Sequence, residues 1–252
     1  MNDILLALTH ETGMSFDHHS DHERLKRYLD RGSEIWDGDQ LSSLFIDFMM
    51  INETYFDREK RHFDLFVEHI LPSLGVNEQT MARVLFAPCS TGEEPYSIAL
   101  RLAQSSYHKA SVELLGIDIS TKAIMQARQG CYTGRAIHEL PADIVERYFT
   151  PTPDGHFSLH DEIRHKVHFE QGNVFDNLFL DRLGLFDVVF SRNMMIYFDK
   201  AYSRRFLDSL RKKLYPGGYV ILGHADDHAY AKELFEPLLF GKTMIYRHTK
   251  GS

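Results

Sequence analysis

Cysteine is scarce in this chain. Cys89 and Cys131 are its only two. They have no metal-ligand spacing and are too few for a disulfide framework, so a reducing compartment, the cytoplasm, is expected. Long apolar runs are also missing. No stretch approaches the roughly 18 apolar residues of a membrane-spanning helix, so no membrane insertion is expected. The opening MNDILLALTHETG has no basic region ahead of its short apolar run, and a signal peptide is not expected. Positive charge is in deficit. With 28 Lys and Arg against 36 Asp and Glu, the net charge is −8, which speaks against a nucleic-acid partner. Internal repeats and low-complexity tracts are absent.

Apolar material is present in quantity. Hydrophobic residues make up 43% of the 252, enough for the core of one large domain or of a domain with a small companion. Residues 1–70 show helical spacing, with Leu5, Leu8, the segment His22 to Trp36 and LSSLFIDFMM from Leu41 as its apolar faces. From Arg83 onward the pattern changes. Short apolar runs (RVLFAPC, VELLGID, KVHFEQGNV, LFDVVFSRN, GYVILGH) alternate with amphipathic stretches. That alternation predicts an α/β fold with a doubly wound, mostly parallel sheet over residues 71–252. One segment breaks it. Between about residues 132 and 165, RYFTP and HFSLH flank a Pro-Asp-Gly turn, predicting a small antiparallel β-subdomain inserted in the sheet domain. The final ELFEPLLFG and KTMIYRHTK predict a terminal hairpin.

The turn after the first strand is where a doubly wound sheet places its ligand. Here it reads CSTGEEPYSIAL from Cys89 to Leu100. A dinucleotide site requires G-x-G-x-x-G and a pyrophosphate at the helix N-terminus. This turn has one glycine and two acids, Glu93 and Glu94, which repel a pyrophosphate. They suit a cofactor with positive charge and no phosphate, and S-adenosylmethionine, with a sulfonium and an ammonium group, meets that description. Asp118, ending the second strand in GIDIS, is placed to accept hydrogen bonds from ribose hydroxyls. On the turn alone an alternative stays open, in which both glutamates complement the helix dipole and Asp118 caps the next helix.

Four further stretches bear on that choice. The turn closely resembles the cofactor turn of the CheR-type chemoreceptor glutamate methyltransferases. NETYFDR (Asn52 to Arg58) is similar to that family's Asn-x-Thr-x-Phe-x-Arg segment. GIDISTKAIMQARQGCY resembles its second-strand motif, FSRNMMIYFDK (Phe190 to Lys200) its fourth, and PGGYVILGH (Pro216 to His224) its fifth. The order and spacing agree from about residue 41 onward, the inserted β-subdomain included. Asp57 departs from the pattern, standing where a second aromatic is common, and so do Ala225 and Asp226. The N-terminal helical region is shorter than the family's usual docking domain.

The resemblance implies a seven-stranded, Rossmann-like methyltransferase sheet. It implies methyl transfer from S-adenosylmethionine to glutamate side chains on the cytoplasmic helical bundle of a chemoreceptor, forming methyl esters in signalling adaptation. A carboxylate is already a nucleophile at neutral pH, so positioning groups are expected and a Ser-His-Asp triad is not. By resemblance, Asn52, Thr54 and Arg58 lean over the cofactor from a linker helix, and Arg58 grips a carboxylate. Glu93 serves the cationic end of the cofactor, with Glu94 as partner, and Asp118 holds the ribose. Asn173 and Val174 contact the adenine, and Ser191, Arg192 and Asn193 close the pocket. Tyr197 sits beside the methyl group and acceptor, which makes Arg58 and Tyr197 the catalytic pair. A monomer without a metal is expected. His18, His19 and His22 read as a solvated helix start, and Cys89 as a small core residue. The tight RYFTPTPDGHFSL hairpin favours action without a C-terminal pentapeptide tether. Arg24, Arg27 and Arg31, with Lys26 beside them, offer a basic stripe for an acidic receptor. Two alternatives remain in view: a binding module without turnover, and a methyltransferase of small carboxylic acids.

Overall fold

The computed structural model describes residues 1–249. Its N-terminal region comprises α1 (Asn2–Thr12), α2 (His19–Leu29), a two-residue-per-strand hairpin β1 (Trp36–Asp37) and β2 (Gln40–Leu41), and α3 (Ser43–Met49). The hairpin was not legible in the helical spacing. Ser42 caps α3, its Oγ accepting from the Phe45 N–H at 3.2 Å. Leu8, Leu25, Tyr28, Phe45 and Met49 are buried together as a separate small core. His18 and His19 stand at the start of α2, and the His18 N–H donates to Asp21 at 3.1 Å. The arginine stripe is partly consumed within this region. Arg24 donates to the Met49 carbonyl at 2.7 Å, and the Arg31 guanidinium lies 4.8 Å from the Phe48 ring centre. Two of its three guanidinium groups therefore hold α3 in place.

NETYFDR does not form the expected linker helix. Residues 50–55 are irregular, and Asp57 and Glu59 adopt left-handed backbone conformations with φ of 61° and 55°. Such angles cannot propagate a right-handed helix. Helix begins only at α4 (Arg61–Leu65) and runs through a π turn at Phe66–Ile70 into α5 (Leu71–Ser73). Phe56, Phe63, Phe66 and Ile70, all within the first 70 residues, pack in the same core as the sheet. Asp57 is tied down: its backbone N–H donates to Ser97 Oγ at 3.0 Å and its carboxylate pairs with Arg101.

The sheet domain then alternates strand and helix as its sequence requires: β3 (Ala82–Phe86), α6 (Glu93–Gln104), β4 (Val112–Asp118) and α7 (Thr121–Gln129). The inserted unit follows, with β5 (Cys131–Tyr132), α8 (Ala142–Tyr148), β6 (Phe149–Pro151) and β7 (Phe157–Leu159) forming an antiparallel sheet in the order β5-β7-β6. After α9 (Asp161–Arg164), the main sheet resumes with β8 (Val167–Gln171), α10 (Asn177–Leu183), β9 (Phe186–Ser191), α11 (Lys200–Lys212) and β10 (Leu214–Leu222). It closes with α12 (Ala231–Leu234) and the hairpin β11 (Glu236–Phe240) and β12 (Thr243–Arg247).

The seven strands lie in the order β11-β12-β10-β9-β3-β4-β8. Every pairing is parallel except those made by β12. Val84, Phe86, Val188, Phe190 and Ile221 face one apolar layer, while Leu85, Val189, Val220 and Leu222 face the other. This is the period-two split of a strand covered on both faces. The chain leaves β3 towards β4 and β8 on one side and returns to β9 and β10 on the other. The switch point therefore lies between β3 and β9, and the turns leaving β3, β4, β8 and β9 converge there.

Candidate active site

A cleft of about 970 Å³, counting space open to solvent, lies over those carboxyl ends. Its wall is built from the expected segments: Asn52, Thr54 and Arg58 from the irregular linker, Asp118 after β4, Asn173 and Val174 after β8, and Arg192, Asn193 and Tyr197 after β9. Two expected residues are elsewhere. Ser191 is buried at the end of β9 and does not line the cleft. Glu93 is buried too, and both its oxygens lie against the Thr91 hydroxyl at 2.9 and 2.7 Å. Burial raises its carboxyl to about 7. It is Glu94 that faces the cleft.

The first turn explains this exchange. Gly92 starts α6 with φ of 94°, and a Cβ there would lie 3.0 Å from the Ala127 Cβ and 3.1 Å from both Phe169 and the Tyr132 hydroxyl. Only glycine fits. The forced left-handed step turns Glu93 back on Thr91, and the next residue, Glu94, reaches the cleft.

Asp118 is buried, and each of its carboxylate oxygens accepts one backbone N–H, from Ser90 at 2.8 Å and Ser120 at 2.9 Å. The carboxylate keeps lone-pair capacity for a ligand hydroxyl beyond these N–H groups. Burial raises this carboxyl to about 6, against the pull of those two N–H groups. Ser120 in turn donates to Asp47 at 2.7 Å, which fastens α3 to the β4 turn.

Arg192 is the hub of the opposite wall. Its side chain is 1% exposed. It donates to Glu94 Oε2 at 2.5 Å and to the Arg58 carbonyl, and stands 3.6 Å from Glu59. Burial raises the Glu94 carboxyl, and Arg192 opposes that rise. Glu94 Oε1 is buried with no hydrogen-bond partner among the described residues. Burial would raise the Glu59 carboxyl, but His62 at 3.3 Å, Arg192 and His224 at 2.6 Å outweigh it and hold the group well below the carboxylate range. Arg58 donates to the Glu53 carbonyl at 2.8 Å and lies 5.8 Å from the Tyr55 ring centre, and the residue lines the cleft.

Three contributions escaped the sequence reading. Thr12 and Met14 line the cleft, so the N-terminal region is part of the site. The Ser15 N–H donates to the Tyr197 carbonyl at 2.7 Å, and Asn173 donates to the Glu11 carbonyl at 2.7 Å, which fixes that segment over the β8 and β9 turns. Asp226, one of the residues that depart from the family pattern, accepts from the N–H groups of Asn193, Gly223 and Met195 at 2.7, 2.8 and 2.9 Å. It holds Asn193 in its left-handed conformation, φ 58°. No spacing rule connects Asp226 to a loop some thirty residues earlier, so only the fold could disclose it.

The donor set fits S-adenosylmethionine. The carboxylates of Glu94 and Asp118 on the cleft wall suit a ligand with a cationic end and a diol, and among the described residues the cleft has no glycine-rich phosphate cradle. Residues 52–242 match the family model described as "CheR methyltransferase, SAM binding domain". The chain is 34% identical over 218 residues to chemotaxis protein methyltransferase 2 of Vibrio cholerae, covering 85% of this chain and 75% of that one. It is 35% identical over 201 residues to the chemotaxis protein methyltransferase of Campylobacter jejuni, covering 79% and 74%. With the probable biofilm formation methyltransferase WspC of Pseudomonas putida it shares 36% identity over 169 residues, 67% of this chain and 40% of that protein.

Proposed function

Since the chain belongs to the CheR methyltransferase family and is an S-adenosylmethionine-dependent methyltransferase, we propose that its reaction is O-methylation of glutamate side chains on chemoreceptors. The observation that carries this reading is the cleft itself: a buried acceptor for a diol, with Arg58 lining the same space. S-adenosylmethionine, when bound, supplies an electrophilic methyl group on a sulfonium. The residues of this chain do the rest by placement. Asp118 accepts from the ribose, Glu94 faces the cationic end, and Arg58 orients the incoming carboxylate through paired N–H groups. Charge is lost as sulfonium and carboxylate become thioether and ester, and the apolar wall of Met14, Met50 and Val174 favours that loss by excluding water. No general base is needed, and the site places no Ser-His-Asp set.

Recruitment without a pentapeptide tether accords with the inserted sheet. Its edge strand β6 has only three residues and ends in Pro151, which has no N–H to offer an added strand. A micromolar dissociation constant for a receptor C-terminal pentapeptide would overturn that part. The main proposal is tested by incubating the protein with S-adenosylmethionine and a receptor cytoplasmic fragment, then mapping modified residues by mass spectrometry. Methyl groups on glutamates are expected. Methylation confined to other residue types, or to small acids, contradicts it.

A further inference from the structure

Behind the Arg192 wall lies a second depression of about 1030 Å³, counting open space. Lys60, Arg61, Lys232, Lys242 and His224 line it, and Glu59 is its one acidic lining residue. That acid is already engaged by Arg192, His62 and His224. Arg61 meets Glu68 at 3.2 Å. Lys60, Lys232 and Lys242 are exposed, and among the described residues none of the three is ion-paired. A chain of net charge −8 thus concentrates uncompensated lysines in one place. The place adjoins the cleft, because Glu59 lines the depression while its carboxylate lies 3.4 Å from the Asn193 amide and 3.6 Å from Arg192, both cleft residues.

We infer that this basic depression docks an acidic helical segment of the protein substrate, engaging carboxylates that neighbour the acceptor glutamate; the inference rests on the proposed function. The lysines come from three separate elements, the residue 60 loop, α12 and the β11–β12 turn, and surround an open mouth. That arrangement suits several carboxylates spread along a helix face, where residues three, four and seven apart lie on one side. A small anion calls instead for convergent, fixed donors, whereas the cations lining this depression are side chains spread over three elements. The surface also supplies what an acidic enzyme needs to approach an acidic partner, a local patch of opposite sign next to the reacting site.

The test is direct binding of a fluorescently labelled, helix-forming peptide with one central glutamate and further glutamates at i+4 and i+7, read by anisotropy at 0.01 M salt, where the screening length is about 30 Å. In the full chain, the double variant K232E/K242E is expected to weaken this binding by about fivefold or more and to flatten its salt dependence. S-adenosylmethionine affinity should stay unchanged. K232Q/K242Q should give a smaller loss, and serves if the reversal impairs folding. K109E/K166E carries the same charge change at the amino ends of β4 and β8 and should bind as wild type. Equal peptide affinity in K232E/K242E and wild type overturns the inference. So does an equal loss in K109E/K166E, which would mean a response to net charge alone. A loss of inorganic pyrophosphate binding with peptide binding intact also overturns it, by assigning the depression to a small anion. Because binding is read without turnover, a wild type that needs these lysines for the peptide yet methylates no glutamate would remove the proposed reaction and leave the docking surface standing.

Discussion

Arg192 and Glu94 form an ion pair at 2.5 Å with the guanidinium side chain 1% exposed. The pair joins the turn after β9 to the start of α6. Breaking such a pair from one side leaves a charge buried without a partner, which typically costs 3–5 kcal/mol, whereas removing both partners costs much less. Arg192→Met is therefore expected to lower unfolding stability by about 3 kcal/mol or more in urea titrations. R192M/E94Q should recover part of that loss. A double variant less stable than R192M would show that the two side chains are not coupled.

Asp118 accepts two backbone N–H groups and keeps lone pairs free for a ligand. Removing its contacts to a ribose in Asp118→Ala should cost roughly 1–3 kcal/mol, or about tenfold or more in S-adenosylmethionine affinity. Its carboxyl is raised to about 6 in the free protein. A hydroxyl donor favours the ionised form, so wild-type affinity should fall as pH drops below about 6. Calorimetry across pH 5 to 8 reads both effects, and wild-type affinity in the alanine variant would contradict the ribose assignment.

Glu93 carries a pH signature of stability. Burial raises its carboxyl from 4.5 to about 7, so the folded state holds the proton more tightly than the unfolded chain. The associated stabilisation is complete below about 4.5 and is lost as pH rises towards 7. A shift of that size corresponds to roughly 3 kcal/mol. Glu93→Gln should flatten the decline between those limits and match or exceed wild-type stability at pH 8. Unfolding curves at pH 5 and 8 check this, and an unchanged slope in the variant would assign the dependence to another group.

Arg58 distinguishes acceptor from cofactor. With Arg58 lining the cleft and its backbone carbonyl taken by Arg192, Arg58→Ala should reduce turnover far more than it weakens S-adenosylmethionine binding. Collapse of cofactor affinity with turnover little changed at saturation would place Arg58 in the cofactor site.

The parts of this molecule set by local chemistry were readable before the fold. Alternating apolar runs announced the parallel strands, Pro-Asp-Gly announced the inserted hairpin, and the acids after Gly92 announced a cationic ligand. What remained hidden depends on backbone geometry and distant contacts. Glu93 and Glu94 are neighbours of one residue type, and which one faces the cleft is set by how the chain leaves the left-handed Gly92, where a Cβ would crowd Ala127, Phe169 and Tyr132. NETYFDR is expected as a linker helix from its family resemblance, yet Asp57 is drawn to Arg101 and Ser97 and its left-handed backbone does not continue a helix. Thr12 and Met14 reach the cleft only because Asn173 and Tyr197 anchor their segment. The Arg24 and Arg31 side chains, legible as a docking stripe, are recruited by α3.

The central claim is that this cleft transfers a methyl group from S-adenosylmethionine to a glutamate carboxylate. Its most direct test uses methyl-tritiated S-adenosylmethionine, the wild-type protein and a receptor cytoplasmic fragment, followed by mild base. Label should enter the receptor fragment and be released by base as volatile methanol, the behaviour of a methyl ester. Label that stays on the fragment through base treatment, or that never leaves the cofactor, would contradict the account.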